Sequence, residues 1–441
     1  MKSRGFYKEL SKLMLPIALQ TFMLSLVTAC DSFMLGAISQ DALAAVSLAS
    51  KIAFVENIGI AGLVGGGMVL FSQYFGKNDL NTVGKIFSLI LRYAIIICIV
   101  FFCLSFFVPN FLMRVFTDDL LMIEIGAKYL RIAAFSFLIV GITQVYLIGL
   151  KTANKASYCA LISGIAVIIN IILNVIFIFG LNMEASGAAL ATVIARIIEF
   201  VLAVFIFKRS GSIKFNKKDI FKISSKLEKE FWKVSSFLLL NELIWGVGIT
   251  IYSVILGHLG SDATAADSIA SVVKDLTTSL CRGVGVGGGI MVGYKLGKND
   301  FDGAKTDGRR LLFLSIIVGV VCGVLVMATS FIVLPFVKLT DVSKNYLKYM
   351  FIISAFYMIA KSINITLING VFYVGGDTFF DTYSLGVTMW GVIVPLGLLG
   401  TFVFNWPVIL IYFILSMDET IKIPWVIHHY KKYKWLNNLT N

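Results

Sequence analysis

Asp31, in the stretch LSLVTACDSFMLGAIS, is the only charged residue between Leu13 and Leu35. A carboxylate at the centre of a membrane helix costs roughly 2.5–3.5 kcal/mol, so its retention needs a reason. It can hold a proton, or lend its charge to a small cation. It can also be a helix-end Asp close to the water interface, since Gly36 soon follows. Asn170 and Asn174 are four apart and share one helix face. They offer amide oxygens, or hydrogen bonds to neighbouring helices. Ala188 and Thr192 have the same spacing in the next apolar run. Glu242, in FLLLNELIWGVGITIY, lies well inside its run and is a functional candidate on that ground alone. Asp267, Lys274 and Asp275 share another run, where Lys274 is expected to pair with one of the two acids. Glu56, Lys51 and Lys361 are left unassigned, and Lys361 would repel a cationic substrate unless paired. Pro16 can kink its helix, or mark the helix entry.

The elements that must position these residues follow from composition. The chain has 441 residues, 58% hydrophobic and 14% charged, too apolar for a soluble protein of this length. Apolar runs too long for barrel strands recur throughout, so the fold class is all-α and polytopic. Twelve spans are expected, at about 13–36, 43–75, 83–108, 125–150, 157–180, 184–207, 233–257, 263–295, 309–337, 345–373, 380–402 and 405–428. Basic residues precede the first run without a small-residue cleavage site, so it reads as a retained helix.

Lys and Arg concentrate in the N-terminal tail, the even-numbered loops and the C-terminal tail, whereas loops 37–42, 181–184 and 258–262 carry none. The positive-inside rule then puts both termini in the cytoplasm. Loop 374–381 disagrees, with Asp377 and Asp381 and no Lys or Arg. The net charge of +13 therefore reflects topology and anionic-lipid contact, with no nucleic-acid partner expected.

LGAISQDALAAVSLAS at 35–50 resembles LGHLGSDATAADSIAS at 256–271, an offset of 221, and the glycine-rich runs ending in FGKND and LGKND follow. A repeat of half the chain that spans six helices predicts two lobes related by a pseudo-two-fold along the membrane normal. The lobes are 1–207 and 233–441, joined by the basic cytoplasmic linker 208–232.

Four stretches then resemble the multidrug and toxic compound extrusion family, of bacterial type. They are LMLPIALQTFMLSLVTACDSFMLGAIS, the glycine-rich second helix into QYFGKND, NIILNVIFIFGLNMEASGAALATVIARIIEF, and DETIKIPWVIHHYKKYKW. The resemblance implies a monomeric antiporter of the plasma (inner) membrane, exporting cationic or amphipathic small molecules in exchange for sodium or protons by alternating access. It places Asp31, Asn170, Asn174, Thr192 and the Ala188 carbonyl around one ion-coupling pocket, with sodium a candidate metal at Asp31, Asn170, Asn174 and Thr192. It departs from the family pattern at Asn174, where the best-described pockets carry Asp, which weakens the case for sodium. It implies bending of the first helix at Pro16, and a C-lobe cavity with Glu242, to which Asp267, Lys274 and Asp275 are assigned. The alternative is a flippase of lipid-linked sugars, which would want a more basic centre.

Other classes are excluded. The three histidines, His258, His428 and His429, lie outside span cores, so no catalytic or metal cluster forms in the hydrocarbon. The glycine clusters lack the phosphate-loop lysine pattern, and let helices approach closely. Six scattered cysteines indicate neither disulfides nor zinc. The chain is expected to be a transporter without a cofactor, not an enzyme.

Overall fold

The structure is a computed structural model, which describes residues 2–36, 40–220, 225–337 and 339–440. Part of loop 37–42, which carries no Lys or Arg, and residues 221–224 of the basic linker lie outside the described residues. Fifteen α-helices follow in order among those described: α1 (Lys2–Gly36), α2 (Gln40–Lys77), α3 (Leu80–Phe107), α4 (Pro109–Arg114), α5 (Leu120–Thr152), α6 (Ala156–Asn174), α7 (Glu184–Ser210), α8 (Ser225–His258), α9 (Ser261–Gly297), α10 (Phe301–Phe336), α11 (Asp341–Asn364), α12 (Thr378–Leu385), α13 (Val394–Phe402), α14 (Val408–Leu415) and α15 (Asp418–Lys431). Wider π-helical turns continue α6 over Val175–Gly180 and α11 over Ile365–Phe372, and join α12 to α13 over Gly386–Ile393.

The protein is a multi-pass membrane protein, with ten helices among the described residues long and apolar enough to cross a bilayer. Two of the twelve expected spans are not among them. The eighth is the continuous helix α9, diluted by its glycines and by Asp267, Lys274, Asp275 and Arg282. The twelfth breaks at Ser416–Met417 into α14 and α15, neither long enough alone. The first helix starts at Lys2, well before the apolar run. Phe6, Leu10, Leu13 and Ile17 are buried at helical spacing, so the basic prefix has an apolar stripe of its own. Pro16 is therefore deep inside α1, and the helix-entry reading of it is corrected.

The chain divides into two compact units. One, the N-terminal unit, comprises Met23–Phe71 and Asp79–Ser235; the other, the C-terminal unit, comprises Met1–Phe22, Ser72–Asn78 and Ser236–Asn441. In the N-terminal unit one core cluster packs Ala49, Leu130, Phe137 and Ala189, and another packs Leu35, Val46, Ile178 and Ala188. In the C-terminal unit one cluster packs Phe351, Met350, Tyr412 and Ile411 with Ala266 and Cys322. At the head of α9, Thr340 and Ser343 hydroxyls donate to Asp262 at 2.6 and 2.8 Å and hold its carboxyl below the usual range.

The repeated GKND motif is a helix stop followed by a helix start. Asn78 and Asn299 adopt the left-handed conformation, φ 64° and 61°, that ends a helix. The next residue then caps the following helix: Asp79 accepts from the Thr82 amide at 3.0 Å, and Asp300 from the Gly303 amide at 2.9 Å. The glycines before this motif bring the two copies together. A Cβ on Gly76 would lie 2.2 Å from the Tyr294 carbonyl oxygen, and one on Gly297 would lie 1.9 Å from that of Gln73. Gln73 and Tyr294 are 221 residues apart, as are Gly76 and Gly297. The contact is thus reciprocal, as a two-fold requires.

Candidate functional site

Asp31 lies on α1, five residues before that helix ends, and is partly buried. The Asn174 side chain is fully buried at the end of α6, where the backbone widens into the π-helical turn. Its Nδ2 donates to Asp31 Oδ1 at 2.5 Å and to Asn170 Oδ1 at 3.2 Å. Asn170 Nδ2 in turn reaches Thr192 Oγ1 of α7 at 3.4 Å. The i, i+4 spacing of the two amides makes this chain of bonds, linking α1, α6 and α7. Asp31, Asn170 and Thr192 line a cavity of about 110 Å³. Asp31 forms no ion pair among the described residues; its contact is the amide.

Ala188 lies one turn before Thr192 on α7, its side chain packed with Leu35 and Ile178 in the core next to α1. The remaining predicted residues belong to the C-terminal unit. Glu242 is half-buried on α8, within electrostatic reach of Arg282, Lys361 and Asp381. Asp267 accepts from Ser271 at 3.2 Å. The expected pairing of Lys274 with an acid is not found. Its ammonium lies over the rings of Tyr412 and Tyr357, at 5.1 and 5.8 Å, and Asp275 is exposed. Aromatic faces meet that charge directly, while Asp267 and Asp275 act on it from beyond ion-pair distance.

Lys361 is not a loose cation. It donates to Glu419 Oε1 at 2.6 Å, and Asn364 Nδ2 donates to Oε2 at 2.7 Å. Its partner sits at the head of α15, 58 residues on, beyond the reach of a helix-spacing argument.

Sequence reasoning missed three residues of the N-terminal cavity. Ser163, Arg196 and Glu199 line it together with Asp31. Ser163 Oγ donates to Glu199 Oε1 at 2.9 Å, and Arg196 Nη1 to Glu199 Oε2 at 2.7 Å. The signal was present: two opposite charges three apart in the apolar helix ATVIARIIEF, subject to the same argument as Asp31.

The donor set does not fit sodium as it is arranged. A hard cation needs oxygens turned inward. Here amide N–H groups point at Asp31 and Thr192, Asn170 Oδ1 is taken by Asn174, and Asn174 Oδ1 is buried without a partner elsewhere. A guanidinium shares the cavity.

With this geometry in place, comparison with known proteins is direct. The profile of the MatE family matches residues 16–176 and 239–399, once in each half of the chain. The probable multidrug resistance protein YoeA of Bacillus subtilis is 23% identical over 412 residues, covering 89% of this chain and 86% of that protein. The probable multidrug resistance protein NorM of Thermotoga maritima is 24% identical, covering 72% and 69%. Among solved structures, a Vibrio cholerae MATE transporter superposes with a TM-score of 0.90 at 15% identity, covering 99% of this chain and 98% of that one. A MOP superfamily transporter from Pyrococcus furiosus gives 0.88, also at 15% identity, covering 97% and 95%. These two likenesses establish a shared fold.

Proposed function

This chain belongs to the MatE family, the multidrug and toxic compound extrusion transporters, and from that premise we propose that it is a proton-driven exporter of cationic or amphipathic small molecules. The family is one of transporters, not enzymes. The cycle alternates access between the two sides of the membrane. A proton taken from outside neutralises Asp31 and favours the state that releases substrate; substrate binding favours the other. Each ligand must prefer a different state for the two fluxes to be coupled. Pro16 supplies the flexible point of α1, because it leaves the carbonyl one turn back without its amide partner.

The observation that carries this reading is the 2.5 Å bond from the Asn174 amide to Asp31 inside a small polar cavity. An acid held by one neutral donor, without an ion pair among the described residues, is free to take a proton. Glu242 is the corresponding acid of the C-terminal unit. Asp267, Lys274 and Asp275 shape its surroundings. The protein acts as a monomer in the plasma (inner) membrane, with lobes 1–207 and 233–441 and both termini cytoplasmic, and has no nucleic-acid partner. The flippase alternative is not favoured. The cavity holds two acids and one guanidinium, the wrong balance for a pyrophosphate.

The test is efflux of an organic cation such as ethidium from proteoliposomes, with proton and sodium gradients imposed separately. The native protein should respond to the proton gradient, and Asp31→Asn should abolish that response. Unchanged gradient dependence in Asp31→Asn would refute the assignment of Asp31.

A further inference from the structure

The cavity that holds Asp31 also holds a cation that the coupling scheme does not use. Arg196 lies one turn beyond Thr192 on α7, and Glu199 lies three residues further, so all three project from one face. The Glu199 side chain is 1% exposed, and each of its oxygens is taken, one by Ser163 and one by Arg196. The Arg196 side chain is 29% exposed, and one of its five N–H donors meets Glu199. The rest of the guanidinium borders the cavity beside Asp31 and Asn170. It is also within electrostatic reach of Asp31 and of Glu56 on α2. Glu56 is 1% exposed, and its Oε1 has no hydrogen-bond partner. Other charged or titratable groups face this cluster from α5, α3 and α6: Tyr129 within reach of Asp31, Lys151 and Cys159 within reach of Glu199, and Cys98 within reach of Glu56.

A pair kept only for packing would be a poor choice here. Two buried charges often stabilise a fold no better than apolar residues of the same size. This pair, moreover, opens onto a polar cavity rather than sitting in a closed core. Three carboxylates, Asp31, Glu56 and Glu199, surround a single guanidinium. Its position decides which of them is balanced.

We infer that Arg196 is a specificity-determining residue of this site: a tethered guanidinium that occupies, electrostatically, the place a metal cation would take beside Asp31. The inference rests on the reading of Asp31 as the coupling acid, and concerns which cation neutralises it. The guanidinium opposes any positive charge added at Asp31, proton or sodium, but a sodium ion also needs room and inward-facing oxygens, whereas Arg196 fills part of the cavity and the amides present N–H groups. A proton needs one carboxylate oxygen and no cage. Glu199 tunes the device, because it holds part of the guanidinium's charge away from Asp31.

Sodium binding to the purified protein in detergent tests this without any transported substrate. The readout is the thermal unfolding midpoint in sodium chloride, compared with potassium chloride and with choline chloride at equal ionic strength. The native protein should show no sodium-specific shift. Arg196→Gln should gain one of about 2–4 °C, and Arg196→Lys, which keeps the charge, should not. Glu199→Gln leaves the guanidinium unbalanced and should show no sodium shift. Should Arg196→Gln not fold, the double variant Arg196→Gln/Glu199→Gln removes both charges together and must show the gain. In either background the gain must vanish when Asp31→Asn is added. A sodium-specific shift in the native protein that disappears in Asp31→Asn would overturn the inference while leaving Asp31 as the coupling acid. A gain that survives Asp31→Asn, or no gain in both Arg196→Gln and the double variant, would overturn it as well. Failure of Asp31 itself is read separately, from efflux in proteoliposomes.

Discussion

Replacing Gly297 with alanine should force apart two helices that now touch through their backbones. The added Cβ would sit 1.9 Å from the Gln73 carbonyl oxygen, and an ordinary contact begins near 3.4 Å, so the crossing must open by 1.5 Å. Gly76→Ala is the mirror case: 2.2 Å to the Tyr294 carbonyl oxygen, hence an opening of 1.2 Å. Neither obstacle is a flexible side-chain tip. The Gln73 side chain also anchors this end of α2, donating to the Val374 and Asn437 carbonyls at 2.6 and 3.0 Å and accepting from the Leu439 amide at 2.6 Å. The helix cannot slide without breaking those bonds. Overpacking of this kind costs about 1–3 kcal/mol, and rigid backbone obstacles argue for the upper end. Because both glycines report on one crossing, a single opening relieves both. The double variant should lose little more than the worse single one, so the two effects should not add. The four buried thiols, Cys98, Cys159, Cys281 and Cys322, supply the assay: a thiol-reactive fluorophore reports unfolding as they become accessible. Gly257→Ala is the control, since nothing lies within 4 Å of its added Cβ in α8. It should be neutral, or stabilising by up to about 1 kcal/mol. The reasoning is refuted if Gly297→Ala unfolds no earlier than Gly257→Ala, or if the two crossing variants add in full.

Two further outcomes are expected. Lys361→Met strips the ammonium from Glu419, whose side chain is 9% exposed, and should cost about 3–5 kcal/mol of stability in the same assay. Lys361→Met/Glu419→Gln should recover most of that loss, and recovery of none would deny the pair its structural role. Trp435→Ala removes a fully buried ring stacked on Tyr430 at 5.7 Å and should cost about 3–5 kcal/mol; a loss below about 1 kcal/mol would mean that the tail does not secure this end of the unit.

The juxtaposition of Asp31, Asn170, Asn174 and Thr192 was legible only through the family resemblance, since a four-residue spacing by itself says no more than that Asn170 and Asn174 share a helix face. The repeat was legible as text, and GKND proves to be a stop and a start in four letters. What was not legible depends on distance or on backbone detail. The partner of Lys361 lies 58 residues away. The break between VILIYFIL and DETIKIPW coincides with a fall in hydropathy at Asp418, Glu419 and Lys422, but the expected span ran through it because both sides remain helical. Hydropathy does not see the widened turn after Asn174, which changes the helical register beyond the amide. The pairing expected for Lys274 failed because spacing along one helix says nothing of the tyrosines on α11 and α14 that meet its ammonium. Arg196 and Glu199 are a different case: their signal was as strong as that of Asp31.

Bonded charge sets occur in both units, and the groups left out of them bear on where a change of state can start. In the C-terminal unit many charges are closed into bonded sets: Lys361 with Glu419 and Asn364, Asp307 with Lys295 and Arg310, His429 with Asp377, and Tyr373 with Asp381. In the N-terminal unit Arg196 is bonded to Glu199 and Arg92 to Glu228, whereas Asp31 accepts a hydrogen bond from one amide, and Glu56 Oε1 and Asn174 Oδ1 are buried acceptors without donors. An unsatisfied buried polar group costs about 1–3 kcal/mol. A proton on Asp31 reverses the sense of its bond, because an acid donates where a carboxylate accepts. The natural acceptor is Asn174 Oδ1, reached by turning the amide, and that turn also withdraws the donor from Asn170 and so alters its link to Thr192 on α7. If Asp31 is the coupling acid proposed above, its protonation gives Asn174 Oδ1 a donor and takes their partners from Asn174 Nδ2 and Asn170 Oδ1, so the packing of α1, α6 and α7 cannot be equally favourable in the two protonation states.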